Sequence, residues 1–391
     1  MIKFQLNTKT FAGIDSKESV ISILKDEGLT EPVFLVDEIV ATTHSFKKLQ
    51  SLFDDKEEPY VIILLRSCAE PDYDYLDEIV AQLRKIKAAC LIGVGGGSVL
   101  DITKAAAVLL TNGGRGIEYR GFDKATTPGV PTICIPTTAG TGSEITINAV
   151  FTDLNENKKL GINGNFLNAT YAILDPEFLL SAPLKVAVSS GVDALVHTLE
   201  SYVGSNANII TRMYAKEAFR LLYSNLGAIV DDPHNLEKLF AIQLGAYYAA
   251  TSLFNSSSGI AGALSYPLGV YYKVPHGVGG GMFALPVVKY NVSHGYYNYA
   301  HLYDVIAPQD FVLSDEKKCE KFITCLEALT KKLNIPDSLQ SFGLADDDFA
   351  HVVSIMQPLQ AAFDQNPVRL DVKDVDKFLA PFFSKQAILV S

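Results

Sequence analysis

Four short stretches of this chain combine residue types that can do chemistry. Gly95-Gly-Gly-Ser98 directly follows the apolar run Cys90–Val94 and opens a helical pattern that carries Asp101 and Lys104 in its first two turns. Glycines there let backbone N–H groups approach a pyrophosphate, and a helix N-terminus favours its negative charge. The second stretch, Thr137 to Glu144, holds four hydroxyls (Thr137, Thr138, Thr141, Ser143) and two glycines after the run ending at Pro136. It offers donors to a dinucleotide or a substrate carbonyl; the alternative is a solvated loop in which Ser143 and Glu144 cap a helix. In the third, Asp193 and His197 stand four residues apart among Val192, Ala194, Leu195 and Val196. A helix projects such a pair from one face, and apolar neighbours imply burial, which favours a divalent metal site over a surface hydrogen bond. The fourth, Val274-Pro-His276-Gly, starts another helix and supplies a candidate third ligand, His276. Asp37 ends the run Val33–Val36, where a carboxylate accepts hydrogen bonds from a ribose diol and repels a 2′-phosphate, or else caps the next helix.

Parallel strands and helices must position these groups. Pro32–Asp37, Pro59–Leu65, Cys90–Val94 and Thr132–Pro136 are near-continuous apolar runs, the pattern of strands buried on both faces. Helical spacing over Ser16–Glu27, Tyr73–Lys87 and Val99–Leu110 alternates with them, which predicts βαβ units. Met1–Thr8 reads as a strand, Tyr171–Asp175 as the last strand, and Asn155-Glu-Asn157 as the turn of a hairpin. After Pro183 strand-like runs nearly vanish, and helical spacing recurs near 187–203, 209–225, 235–252, 316–333, 345–361 and 373–383. The predicted architecture is α/β plus all-α, with a dinucleotide-binding α/β domain over 1–180 and a helical metal and substrate domain over 181–391. A cleft between two such domains is the default ligand site.

The whole chain narrows the function further. Its 391 residues suit two domains, and a net charge of -11 opposes a nucleic-acid partner. No apolar run reaches the ~18 residues that span a membrane. The five cysteines (Cys68, Cys90, Cys134, Cys319, Cys325) include no CxxC pair, so buried thiols in a reducing, cytoplasmic compartment are expected.

GGGSxxDxxK at 95–104, PTTAGTGSE at 136–144, GVDALVHTLE at 191–200 and PLGxxxxVPHG at 267–277 together resemble the iron-containing (group III) alcohol dehydrogenases, relatives of dehydroquinate synthase and glycerol dehydrogenase. The resemblance implies a dehydroquinate synthase-like fold, with a Rossmann-like N-terminal domain, a helical C-terminal domain and a nicotinamide lying above a divalent metal. Carried over by position, it implies cofactor binding by Asp37, Gly96, Gly97, Ser98, Thr137, Thr138 and Lys159, a set that Asp101, Thr141 and Ser143 join from their place in the two loops. It implies metal ligation by Asp193, His197 and His276, and commonly a homodimer or larger homo-oligomer.

One departure stands out. The family shows HxxxHPLG, whose first histidine, fourteen residues before that of PHG, is the fourth ligand and whose second assists proton transfer. Here those positions are Gly262 and Tyr266, and His44, His234, His294, His301 and His351 match no ligand position. Two states follow: a three-ligand iron or zinc site with water in its open positions, or a metal-free site in which the same side chains act as hydrogen-bond donors and acceptors. Tyr266 and His276 are the catalytic candidates; the alternative for Tyr266 is a packing residue with a hydrogen-bonded hydroxyl. The expected activity is hydride transfer between NAD, favoured over NADP, and a small alcohol, aldehyde or sugar-acid hydroxyl. The alternatives are an NAD-binding protein without turnover and a metal-independent lyase or cyclase on the same fold.

Overall fold

The structure, a computed structural model, describes residues 1–67, 71–156 and 158–383. Cys68 and Asn157 lie outside the described residues. The chain divides into two compact units, one of Gln5–Ala187 with Pro233–Tyr247, the other of Met1–Phe4, Val188–Asp232 and the chain from Tyr248 onward.

Among the described residues the first unit has nine strands: β1 (Lys9–Ala12), β2 (Val33–Asp37), β3 (Val61–Leu65), β4 (Leu91–Gly95), β5 (Gly121–Phe122), β6 (Thr132–Pro136), β7 (Asn148–Asp153), β8 (Lys158–Asn163) and β9 (Tyr171–Leu174). Six form a sheet in the order β1-β9-β6-β4-β2-β3, and every pairing in it is parallel. Helices α1 (Ser19–Asp26), α2 (His44–Asp54), α3 (Tyr73–Lys85) and α4 (Gly97–Asn112) separate the strands. Alternation along each strand divides its side chains between two cores. Val33 and Leu35 join one with Leu76, Ile79 and Ile102. Phe34 and Val36 join the other with Val20, Phe46 and Phe53. Burial on both faces explains why β2, β4 and β6 read as unbroken apolar runs, whereas β3, read the same way, is an edge strand that leaves Val61 and Leu64 exposed. A smaller sheet, in the order β5-β8-β7, pairs β7 antiparallel with β8.

The other unit is helical. It takes α5 (Leu184–Val203) from Val188 on, α6 (Ile209–Asp231), the second half of α7 (Leu236–Phe254), α8 (Ile260–Tyr272) and α9 (His276–Ser293), followed by shorter helices and Asp315–Lys332. Among the described residues no strand follows Leu174, and no helix is long and apolar enough to cross a membrane.

Two expectations are corrected. Residues 1–8 carry no strand, and the first strand starts at Lys9. Residues 260–293, where the sequence showed only a helix start at His276, form two helices that are heavily buried along their length. The described cysteines are free thiols, and burial pushes those of Cys90, Cys134 and Cys319 up to about 12, which leaves them inert.

A buried ion cluster pins the end of β1 to the end of β9. Lys17, 3% exposed, places Nζ 2.6 Å from Asp15, 3.1 Å from the fully buried Asp175 and 3.1 Å from Glu177. Removing the ammonium strands Asp175 without its counter-charge. Lys17→Met is therefore expected to lower unfolding free energy by about 3–5 kcal/mol, seen as a lower urea midpoint. An unchanged midpoint would show that the cluster contributes nothing net.

Candidate active site

The cofactor-loop residues converge because β6, β4 and β2 are neighbours. Their carboxyl ends deliver Thr137, Gly96 and Asp37 to one edge of the sheet, where open parallel sheets bind ligands. Gly96 is the N-cap of α4, no side chain caps that end, and Gly96, Gly97 and Ser98 are all half-buried, so the first turn can receive an anion. The two loops meet closely: Thr137 N–H donates to the Gly95 carbonyl at 3.0 Å, and a Cβ on Gly97 would lie 2.7 Å from Thr141 Oγ1. Thr138 is half-buried and Thr141 exposed, within reach of a ligand, whereas Thr137 is buried. Lys159 lies on β8 opposite Thr152.

Several members of the set are engaged within the protein. Asp37 accepts from the N–H of Ile39 at 2.8 Å and of Val40 at 3.2 Å, and from Ser67 Oγ at 2.8 Å. It caps the turn after β2, the alternative its position left open, and its oxygens keep further lone pairs for a ribose. Asp101 accepts from Ser143 Oγ at 2.5 Å and from Val150 N–H at 2.9 Å. Burial raises the Asp101 carboxyl, opposed by Lys104 and by these hydrogen bonds. Glu144, which sequence reasoning treated only as a cap, is buried deeply enough to push its carboxyl up to about 7 against the pull of its own N–H and Lys104.

In the helical unit, α5 projects Asp193 and His197 from one face, and α9 begins at His276. Asp193 is 5% exposed. Its Oδ1 lies 3.6 Å from His197 Nε2 and 3.7 Å from His276 Nε2, and one ligand atom from each residue lies within 4.8 Å of the others. Ligands about 2.1 Å from a shared ion stand roughly 3–3.5 Å apart, so a small inward adjustment lets this set hold a divalent cation. A carboxylate with two imidazoles suits iron or zinc, and both imidazoles turn Nε2 toward the same Asp193 oxygen.

Glycine makes the convergence possible. A Cβ on Gly277 would sit 2.0 Å from the Ser189 carbonyl oxygen and 3.0 Å from Asp193 Cβ; on Gly281, 2.4 Å from Val192. Backbone therefore packs directly on α5, and His276 enters beside Asp193. Ser265 Oγ on α8 fixes the His276 carbonyl at 2.7 Å.

The iron-containing alcohol dehydrogenase model matches residues 7–176, and the C-terminal model of the same family matches 187–383. The chain belongs to the iron-containing alcohol dehydrogenase family. It is 28% identical to an NAD-dependent methanol dehydrogenase of Bacillus methanolicus over 89% of this chain and 91% of that one. With long-chain-alcohol dehydrogenase 1 of Geobacillus thermodenitrificans it shares 33% identity over 71% and 70%. An alcohol dehydrogenase from Oenococcus oeni superposes with a TM-score of 0.91 at 25% identity, covering 98% of this chain and all of that one.

Against this family the two changed positions can be located. Gly262 lies in the first turn of α8 and donates its N–H to Glu200 at 2.9 Å; a Cβ there would meet Glu200 Oε2 at 3.1 Å. Burial raises the Glu200 carboxyl, and the N–H groups of Gly259, Ala261 and Gly262 draw it down, so this carboxylate caps α8. Sequence reasoning missed it, although Glu200 shares the α5 face of Asp193 and His197 at the i+7 position. Tyr266, 39% exposed, packs its ring on His276 with centroids 4.5 Å apart.

Two outcomes follow. Gly277→Ala must push α9 off α5; a shift on the order of 1 Å at His276 should weaken zinc binding about 100-fold in a chelator competition titration. Binding as tight as wild type would mean that the close approach is dispensable. Glu144 titrates near 4.5 when unfolded and near 7 when folded, so its protonated form favours the fold. Its contribution is complete below pH 4.5, falls by about 3 kcal/mol as pH rises to about 7, and is flat above that. Urea unfolding at pH 5 and pH 8 should show this difference in wild type, and Glu144→Gln should remove it.

Proposed function

We propose that this chain is an NAD-dependent alcohol dehydrogenase or aldehyde reductase acting on a small hydroxyl-bearing substrate. The observation that carries the proposal is the meeting of Asp193, His197 and His276 in a member of this family. When bound, a divalent iron or zinc ion would polarise the substrate oxygen, and a nicotinamide would give or take the hydride.

The chain's own residues then have distinct tasks. Asp193, His197 and His276 hold the ion. The α4 N-terminus at Gly96, Gly97 and Ser98 binds the pyrophosphate, with Thr138 and Thr141 donating from the second loop and Lys159 adding positive charge. Asp37 favours NAD over NADP, because a 2′-phosphate would bring negative charge to a carboxylate; the methanol dehydrogenase relative, named as NAD-dependent, is in keeping with this. Tyr266 Oη donates a proton to the substrate oxygen during reduction and accepts it during oxidation. Its exposed edge beside the His276 ring supports that role.

Simple alcohols, aldehydes and sugar acids form the substrate panel. NADH fluorescence titration should show binding by wild type and, within about 2-fold, by His197→Ala, which loses at least ~100-fold in turnover. Tyr266→Phe should lose about 100-fold in kcat, the range of a missing general acid. Wild-type protein that binds no nicotinamide dinucleotide would overturn the proposal, and binding without turnover on any panel member would leave only its cofactor half.

A further inference from the structure

Asp101 and Lys104 are prominent in the glycine motif, yet neither faces outward toward a ligand. Gly97, Asp101 and Lys104 lie at i, i+4 and i+7, one face of α4. That face is fastened along its length to the segment that follows the second loop. Thr141 Oγ1 abuts Gly97. Both Asp101 oxygens are engaged, one by Ser143 Oγ and the other by Val150 N–H. Lys104, 1% exposed, donates from Nζ to the carbonyls of Thr146 at 3.2 Å and Asn148 at 2.5 Å and reaches Thr146 Oγ1 at 3.5 Å. The same Nζ lies 3.5 Å from Asp101 Oδ1, so the buried ammonium has its counter-charge. An ammonium with three acceptors and a carboxylate has no donor left for a phosphate.

We propose that Asp101 and Lys104 are positioning residues that fix the distance between the two cofactor loops, acting through Ser143 and the backbone of residues 146–150 rather than by touching the cofactor. This rests on the cofactor role given above to the loops. A dinucleotide that contacts both loops depends on their spacing to a few tenths of an ångström, whereas a fragment that contacts one loop does not.

The test compares whole cofactor with fragments. NADH, ADP and nicotinamide mononucleotide are titrated into wild type, Ser143→Ala, Ser143→Thr and Asp101→Asn, each first shown to melt cooperatively. Ser143→Ala and Asp101→Asn are expected to weaken NADH about 10-fold or more while ADP and the mononucleotide stay within about 2-fold; Ser143→Thr, which keeps the hydroxyl, recovers most of the loss. The cofactor KM should rise in proportion, with kcat little changed. ADP weakened as much as NADH would overturn the proposal, because it would mean direct contact. So would unchanged NADH affinity in both variants. Amide exchange over residues 141–150 is read in parallel, and Asp101→Asn should lose protection there at least about 10-fold. Unchanged protection refutes the clamp whether or not NADH binds, while a wild type that binds no NADH but shows the exchange effect refutes only the cofactor reading.

Discussion

Where α9 packs on α5 there is no space for a methyl group. A Cβ on Gly277 would meet the Ser189 carbonyl at 2.0 Å, and one on Gly281 would meet Val192 at 2.4 Å. Each glycine in a helix interior costs about 1 kcal/mol relative to alanine, so on propensity alone His276–Ser293 is a poor helix. It forms because packing on α5 and α8 outweighs that cost, and the result is a distance: His276 Nε2 comes to 3.7 Å from Asp193 Oδ1. The triad therefore depends on a backbone approach that only glycine permits.

Three other buried carboxylates have partners of a kind that Asp193 lacks. Asp175 faces the Lys17 ammonium. Asp101 faces Lys104 and receives two hydrogen bonds. Glu200 is held by the first N–H groups of α8. In each case burial is offset by a permanent charge or by backbone donors. The ion pairs of Asp193 are instead to two imidazoles, which are charged only when protonated. A divalent ion held here would supply the charge that this carboxylate lacks and that those three already have.

How much of this could be read in the sequence depended on the kind of signal. The parallel sheet was legible because β2, β4 and β6 are buried on both faces and read as apolar runs, and Asp193 and His197 were legible as an i, i+4 pair. Helix α8 was not, and of α9 only its start at His276 was. Ile260–Tyr272 and His276–Ser293 are largely buried and interrupted by Pro267, Pro286 and glycines, so they show no polar face with a 3.6-residue period. Met1–Thr8 failed for the opposite reason: its alternation has the period of a strand, but among the described residues no strand ladder includes it. Asp101 and Ser143 were legible as polar groups in the right loops. Their engagement with each other was not, because spacing along the chain cannot tell a ligand contact from an internal one.

The changed helix α8 alters what its first two turns can do. In the family pattern this helix presents two imidazoles, at positions 262 and 266. Here position 262 has no side chain and its N–H serves the Glu200 carboxylate, so that end of α8 is capped and offers no ligand side chain. Ser265 and Tyr266 act on His276 instead, one through its carbonyl and the other against its ring. The helix thus orients a candidate ligand that another helix provides, and an ion held by three side chains would keep positions open for water or substrate oxygen. A site with three protein ligands binds its ion less tightly than one with four, which makes the orientation of His276, and the glycine contact beneath it, more consequential here than in a complete site.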